Sequence, residues 1–229
     1  MSFEWSFPLH YSCVDHAGCN RVAILATGSE GCKDMRIIGG SHGGRKLVAW
    51  EESGIRPMRD FVRSALFNIL SDVTQDARFL DLYCGTGSVG LEALSRGAKH
   101  AVFVDRTKTA CAIVRRNLDA LGLLDVGEVI EGDANWVVKD LGHRARRFDL
   151  VFVGPPYYNE LVPSTLDALA DGAILAEDAI VVAEIHKKED AAETYGTLSR
   201  VDERRYGDNS LLFYRIASSG TTGSRDSRE

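Results

Sequence analysis

The 229-residue chain has no apolar run long enough to span a bilayer, a task that needs roughly 20 consecutive apolar residues, so nothing in it reads as a transmembrane helix. It has no excess of positive charge. The net charge is -6, so the molecule as a whole does not advertise a nucleic-acid partner, and any such partner must be met by a local basic patch. Cysteines are few and unpaired in pattern: Cys13, Cys19, Cys32, Cys84 and Cys111 are odd in number and widely spaced. That excludes a disulfide framework and a CxxC zinc site, and makes a reducing, cytoplasmic setting the default. Cys13, Cys19 and His16 are too few and too loosely placed to argue for a metal, and none is expected. The opening residues lack the basic start and apolar core of a signal peptide.

What is present is one α/β domain's worth of chain with ordinary apolar and charged fractions. Residues 1–34 show no sustained period and read as a loosely ordered extension. Met35 opens a segment of different character. Residues 36–38 and 46–50 are strand candidates around the glycine-rich stretch 39–44, and they predict a hairpin. After Arg56-Pro57, the spacing of Val62, Leu66, Ile69 and Leu70 predicts a helix. This hairpin-and-helix unit spans 35–72. Residues 73–217 then alternate strand and helix. Strands are expected at 79–83, 101–104, 128–131, 150–153 and 180–185, with helices at 89–96, 107–121, 135–141 and 161–169. The segments 200–205 and 211–215 look like a terminal antiparallel pair. Such alternation predicts a doubly wound, mostly parallel sheet of seven strands, with ligands at the carboxyl ends of the strands. Residues 218–229 are rich in Ser, Gly and Arg and read as a disordered tail.

The loop Asp81-Leu82-Tyr83-Cys84-Gly85-Thr86-Gly87-Ser88-Val89-Gly90 follows a strand and opens a helix. Its glycines let backbone approach a ligand, and the helix start offers free N–H groups. Gly85, Gly87 and Gly90 spell GxGxxG, and Asp105 closes the next strand where a ribose diol is usually held. The spacing alone leaves a dinucleotide and S-adenosylmethionine both open. Three features favour S-adenosylmethionine. Asp81 suits a ligand carrying an ammonium and a sulfonium and would repel a pyrophosphate. Asp133 is placed to accept from an adenine amine. The loop Gly154-Pro155-Pro156-Tyr157 ends the fourth strand on the same edge. The candidate cofactor set is Asp81, Tyr83, Cys84, Gly85, Thr86 and Gly87, then Asp105 with Arg106, then Asp133 with Ala134. Asp105 has an ordinary reading as a helix cap, Asp133 as a solvated turn.

The second loop suits methyl transfer to an amine. An exocyclic base nitrogen is a weak nucleophile because its lone pair is delocalised into the ring. Carbonyl acceptors on its protons help it carry growing positive charge, and Pro155 and Pro156 fix a loop whose carbonyls stay available. Tyr157 can stack on the base, with Tyr158 as an alternative. Gly154, Pro155, Pro156 and Tyr157 are therefore the candidate catalytic residues.

The chain resembles the RsmD-type methyltransferases. The likeness rests on Met35-Arg36-Ile37-Ile38-Gly39-Gly40, on Gly44-Arg45-Lys46-Leu47, and on Arg56-Pro57 with Asp60, Val62, Arg63 and Leu66-Phe67-Asn68. It continues through the Asp81 loop, Leu91-Glu92-Ala93-Leu94-Ser95-Arg96-Gly97, and the segment 148–157. The resemblance implies a class I methyltransferase (Rossmann-like) fold, S-adenosylmethionine as donor, and guanine-N2 methylation of 16S ribosomal RNA in an assembling small subunit. It also turns the basic residues Arg36, His42, Arg45, Lys46, Arg56, Arg59 and Arg63 from a solvated face into an expected RNA contact. His143, Arg144, Arg146 and Arg147 read as a solvated loop. There are departures. The family's loop begins with Asp, or Asn in related amine methyltransferases, where this chain has Gly154, so a backbone carbonyl or a nearby carboxylate would have to take its place. Phe61 stands where a basic residue is usual, Met58 replaces a small polar one, and the extension 1–34 is atypical. Two alternatives remain open at this point: a cofactor- and RNA-binding relative without turnover, and an amine methyltransferase with another acceptor.

Overall fold

The strands that are apolar on both faces occupy the middle of the sheet, and the more polar ones lie toward its edges. The computed structural model describes residues 35–49, 58–157 and 160–217. The extension 1–34, Arg56, Pro57, Tyr158 and the tail 218–229 lie outside them. The strands are Arg78–Leu82 (β1), His100–Asp105 (β2), Gly127–Glu131 (β3), Phe148–Val153 (β4), Leu175–His186 (β5), Thr194–Tyr195 (β6), Leu198–Tyr206 (β7) and Asn209–Ile216 (β8). They form one sheet in the order β3-β2-β1-β4-β5-β8-β7-β6. The five strands from β3 to β5 are parallel. β8 is antiparallel to both β5 and β7. The class I methyltransferase architecture expected from the sequence is therefore present, with one addition. The two-residue β6 pairs with β7 and makes eight strands rather than seven. It is too short to leave a periodic signal.

The helices are Asp60–Ile69 (α1), Ser71–Thr74 (α2), Ser88–Ser95 (α3), Lys108–Leu121 (α4), Ala134–His143 (α5) and Leu161–Asp171 (α6). They cover both faces. Leu66 and Phe67 of α1, Leu91 of α3 and Val114 of α4 pack with Phe103 and Phe152 on one side. Val138 and Leu141 of α5 and Leu166 and Leu169 of α6 pack with Val102, Val151 and Val181 on the other. Alternate residues of each strand feed alternate cores, as the pleat requires. Side chains such as Leu66 and Leu91, fully removed from water, each contribute roughly 1.5–3 kcal/mol. The strand order turns back between β1 and β4, and that reversal is where such sheets open a ligand crevice.

The expected hairpin near Met35 is smaller than the sequence suggested. One antiparallel bridge joins Arg36 to Lys46, around a short 3-10 turn at Gly40–His42. Glycines there favour a turn over a ladder. Much of the segment's anchorage comes from elsewhere. The buried Glu92 carboxylate on α3 accepts from the Ile38 N–H at 2.7 Å, the Gly39 N–H at 2.9 Å and Arg96 Nε at 2.7 Å. Asn117 on α4 accepts from the Val48 N–H at 2.7 Å and donates to the Thr86 carbonyl at 3.1 Å. One buried amide thus ties this segment to the glycine loop.

Candidate active site

β1 delivers Asp81 to the carboxyl edge, and the chain then turns sharply. Tyr83, Gly85 and Gly87 adopt left-handed backbone at φ 62°, 53° and 76°. Tyr83 can hold that conformation because its hydroxyl is fastened to Thr165 Oγ1 at 2.7 Å. Gly90 is required by packing: a Cβ there would lie 2.4 Å from the Phe103 ring, so only glycine lets α3 approach β2. Its N–H donates to Asp81 Oδ2 at 2.9 Å. Asp81 Oδ1 is buried with no partner. Burial pushes the carboxyl up to about 7, against the Gly90 hydrogen bond that lowers it, with the nearby Asp105 charge adding to the rise. A buried carboxylate oxygen with no donor is open to a cationic ligand group, the kind of partner expected for Asp81 from the sequence.

Asp105 ends β2. Its Oδ2 accepts from the Gly85 N–H at 3.0 Å, and its Oδ1 accepts from the Thr107 N–H and hydroxyl at 2.9 Å each. The helix cap considered for Asp105 belongs instead to Thr107, whose side chain accepts from the Ala110 N–H. Asp105 holds the glycine loop, and its half-exposed carboxylate stays at the crevice. Arg106 beside it is exposed. Asp133 is exposed, in keeping with its solvated reading, and it also caps α5 by accepting from the Trp136 N–H at 3.1 Å, with Ala134 buried behind it. Thr86 is buried and its hydroxyl reaches Met35 Sδ at 3.3 Å. The Cys84 thiol is buried, and burial pushes it well above its usual range. It is therefore unsuited to act as a nucleophile.

The Gly154 loop lies on the neighbouring strand. Its N–H donates to the Leu82 carbonyl at 3.3 Å, so the candidate catalytic loop and the glycine loop leave the sheet side by side. Pro155 is buried and Pro156 exposed. The Tyr157 hydroxyl donates to Glu184 Oε1 at 3.0 Å, and its ring lies 5.8 Å from the His186 ring. Glu184 also accepts from Asn209 Nδ2 at 2.5 Å. Burial raises the Glu184 carboxyl; the bonds from Tyr157 and Asn209 and the charge of Arg59 pull it back. Sequence reading did not single out Glu184 or Asn209. The available signal was a lone acid inside the apolar run 180–185, where an unpaired charge is costly.

The basic residues divide. Arg36, Arg45, Lys46 and Arg59 are exposed, and His42 is half-buried with Nδ1 2.8 Å from Ser41 Oγ. Arg36 approaches Asp60 at 3.9 Å, and Arg45 donates to the Ala120 carbonyl at 2.7 Å. Arg63 corrects the expectation. It is fully buried on α1, donating to the Arg36 carbonyl at 2.6 Å and to Asp60 at 3.1 Å, with Nε 3.7 Å from Glu92. It is an internal strut beneath the patch. Its helical position faces the core, which a count of basic residues cannot reveal. Arg144 and Arg146 pair with Asp140 and Glu128, in keeping with a solvated loop. Tyr158 and Arg56 fall outside the described residues.

The sequence pattern of the family described as "Conserved hypothetical protein 95" matches residues 35–215. The "Putative rRNA methyltransferase YlbH" of Bacillus subtilis is 34% identical over 181 residues, covering 79% of this chain and 98% of that protein. The "Ribosomal RNA small subunit methyltransferase D" of Escherichia coli is 36% identical over 154 residues, covering 67% of this chain and 76% of that protein. Among solved structures, the "Putative methyltransferase yhhF" from Escherichia coli superposes with a TM-score of 0.70 at 30% identity, over 80% of this chain and 97% of that one.

Proposed function

The chain belongs to the family described as conserved hypothetical protein 95, the family of the RsmD-type methyltransferases, and from that premise we propose that it methylates small-subunit ribosomal RNA at the N2 amine of one guanine, with S-adenosylmethionine as donor. The observation that carries the reading is the hydrogen bond from the Gly154 N–H to the Leu82 carbonyl. It sets a loop suited to holding an amine beside a loop suited to holding a cationic cofactor. Relatives named as ribosomal RNA methyltransferases supply the substrate class.

Bound S-adenosylmethionine would supply an activated methyl group on a sulfonium. Asp81 would meet its positive charge, and Asp105 would accept from its ribose hydroxyls, with Arg106, Asp133 and Ala134 around the base. The chain's own work is then positioning and electrostatics. Pro155 and Pro156 hold loop carbonyls toward the amine protons. Tyr157, its hydroxyl held by Glu184, offers a ring face to an unstacked base. Arg36, His42, Arg45, Lys46 and Arg59 would steer and hold the phosphates, with Arg56 expected to join them.

The test is transfer of labelled methyl from S-adenosylmethionine to small ribosomal subunits lacking this modification, with the modified base mapped. Label on one guanine N2 is expected. Label on another base, or on DNA and not on subunits, would overturn the acceptor assignment. The absence of a side chain at Gly154 favours one second reading, a relative that binds cofactor and RNA without turnover. Its signature would be tight cofactor binding with no label.

A further inference from the structure

We propose that Glu184 supplies the carboxylate that position 154 lacks, with its Oε2 accepting a hydrogen bond from the N2 amine of the target guanine. The inference rests on the guanine-methyltransferase reading above and names the group that carries its specificity.

Register makes the case. Val153 on β4 pairs with Ala183 on β5, and both face the core shared with α5 and α6. One residue further along, positions 154 and 184 both face the opposite side, because direction alternates along a strand. A Cβ on Gly154 would point at the Phe152 ring, which lies on that same side. The carboxylate missing from one strand is therefore offered by its neighbour, at the same level and from the same face. Glu184 is 7% exposed, in a strand whose other residues from Ile180 to Ile185 are apolar. Isolated charges are not kept in such places without partners. Its Oε1 has two, Tyr157 and Asn209. Among the described residues, none donates to Oε2. Arg59 is near enough for its charge to act on the carboxyl, and Tyr157 of the catalytic loop is bonded to it.

A carboxylate at this point fits guanine. The N2 amine is flanked by N1–H, so the base presents donors to an acceptor-only group. Adenine flanks its amine with a bare N1, whose lone pair would face the carboxylate unpaired. A site built to accept N–H bonds rejects the base that lacks one. In the transfer, the N2 lone pair forms the new N–C bond while the C–S bond breaks and its electron pair stays on sulfur. The methylated N2 then sheds one proton, which the Glu184 carboxylate takes and passes to water. Burial raises this carboxyl, which makes it a better proton acceptor than an exposed acid.

The experiment uses the full chain and small subunits lacking the modification, and compares wild type with Glu184→Gln, Tyr157→Phe and the double variant. Wild type is expected to show a kcat that falls on the acid side as the Glu184 carboxylate is protonated, with burial raising the point of fall and the hydrogen bonds from Tyr157 and Asn209 and the charge of Arg59 lowering it. Glu184→Gln should lose roughly 10²-fold or more in kcat and lose the acid limb. Its dissociation constant for S-adenosylmethionine by calorimetry should not change. Tyr157→Phe should lose less than Glu184→Gln and keep the limb. If Glu184→Gln keeps wild-type kcat, or if it matches Tyr157→Phe with no further loss in the double variant, the carboxylate acts only through the tyrosine and the proposal is overturned. Should the glutamine variant fail to fold, Glu184→Asp keeps the charge but withdraws it by one methylene. A slower kcat with the limb retained supports the proposal, and an unchanged kcat overturns it. Absence of label with wild type would instead sink the guanine reading itself.

Discussion

The Phe152 ring stands where a side chain on residue 154 would begin: its Cε1 lies 2.6 Å from the ideal Cβ position of Gly154. Phe152 is buried, 4% exposed, and cannot swing into solvent. Restoring the family's acid by Gly154→Asp therefore forces the ring to move, an overpacking that costs about 1–3 kcal/mol. The variant is expected to melt at a lower temperature than wild type and to gain no methyl transfer, because Glu184 already offers a carboxylate. Shrinking the ring in Phe152→Leu/Gly154→Asp should recover part of the lost stability. A single variant as stable as wild type, with faster transfer, would show that position 154 is simply short of its acid.

Asp81 ties stability and cofactor affinity to pH in opposite directions. Its carboxyl is raised from 3.8 to about 7, so between those values the folded protein holds a proton that the unfolded chain has released. By linkage this group stabilises the unliganded fold most below about 4, and the contribution is lost as pH rises through about 7. A shift of this size is on the order of a few kcal/mol. A cationic ligand favours the ionised form, so affinity for S-adenosylmethionine should climb from pH 6 to pH 8. Asp81→Asn should flatten both trends relative to wild type. Thermal melts without ligand and calorimetry with it, at three pH values, check this. Parallel pH curves for the two proteins would remove Asp81 from the site.

Much of this was legible in the chain itself. β4 and its loop announced themselves because a central parallel strand is apolar on both faces. The glycine loop did so because left-handed backbone at Gly85 and Gly87 favours glycine and close packing against Phe103 requires it at Gly90. Glu184 and Arg63 were not legible for the same reason as each other. Each is a charge whose meaning depends on a partner far along the chain, Asn209 for one and Glu92 for the other. Periodicity describes faces within an element, and it is silent on which faces meet. Thr107, an ordinary residue before a helix, took the cap considered for Asp105 because it sits at the position from which an oxygen reaches the third helical N–H.

Glu92 should prove costly to remove. Its carboxylate is fully buried and holds two backbone N–H groups of the Met35 segment as well as Arg96. Glu92→Ala would strand those donors and leave Arg63 with the half-exposed Asp60 as its acidic partner, against the like charge of Arg96. Breaking a buried pair in this way costs roughly 3–5 kcal/mol. Urea unfolding should show a lower midpoint with an unchanged slope, and limited proteolysis should cut within residues 35–47 before the rest of the domain opens. Equal midpoints for wild type and variant would mean that the segment is held by other contacts.

The basic patch should separate from its strut by salt dependence. Arg45 and Lys46 are exposed on the hairpin, whereas Arg63 lies buried beneath it. Phosphate contacts release counterions, and each one lost flattens the dependence of binding on salt. The double variant Arg45→Ala/Lys46→Ala should bind small-subunit ribosomal RNA more weakly, with a shallower slope of log affinity against log salt and an unchanged melting temperature. Arg63→Met should do the reverse: it replaces a buried guanidinium with an apolar chain of similar length and leaves the phosphate contacts in place. Its salt slope should match wild type, while its melting temperature shifts because the Arg36 carbonyl loses its donor from Arg63 and Glu92 loses one of its two arginines. If Arg63→Met flattened the slope as much as the surface pair does, the guanidinium would have to reach RNA, and its buried position on α1 could not be the one that operates in the complex.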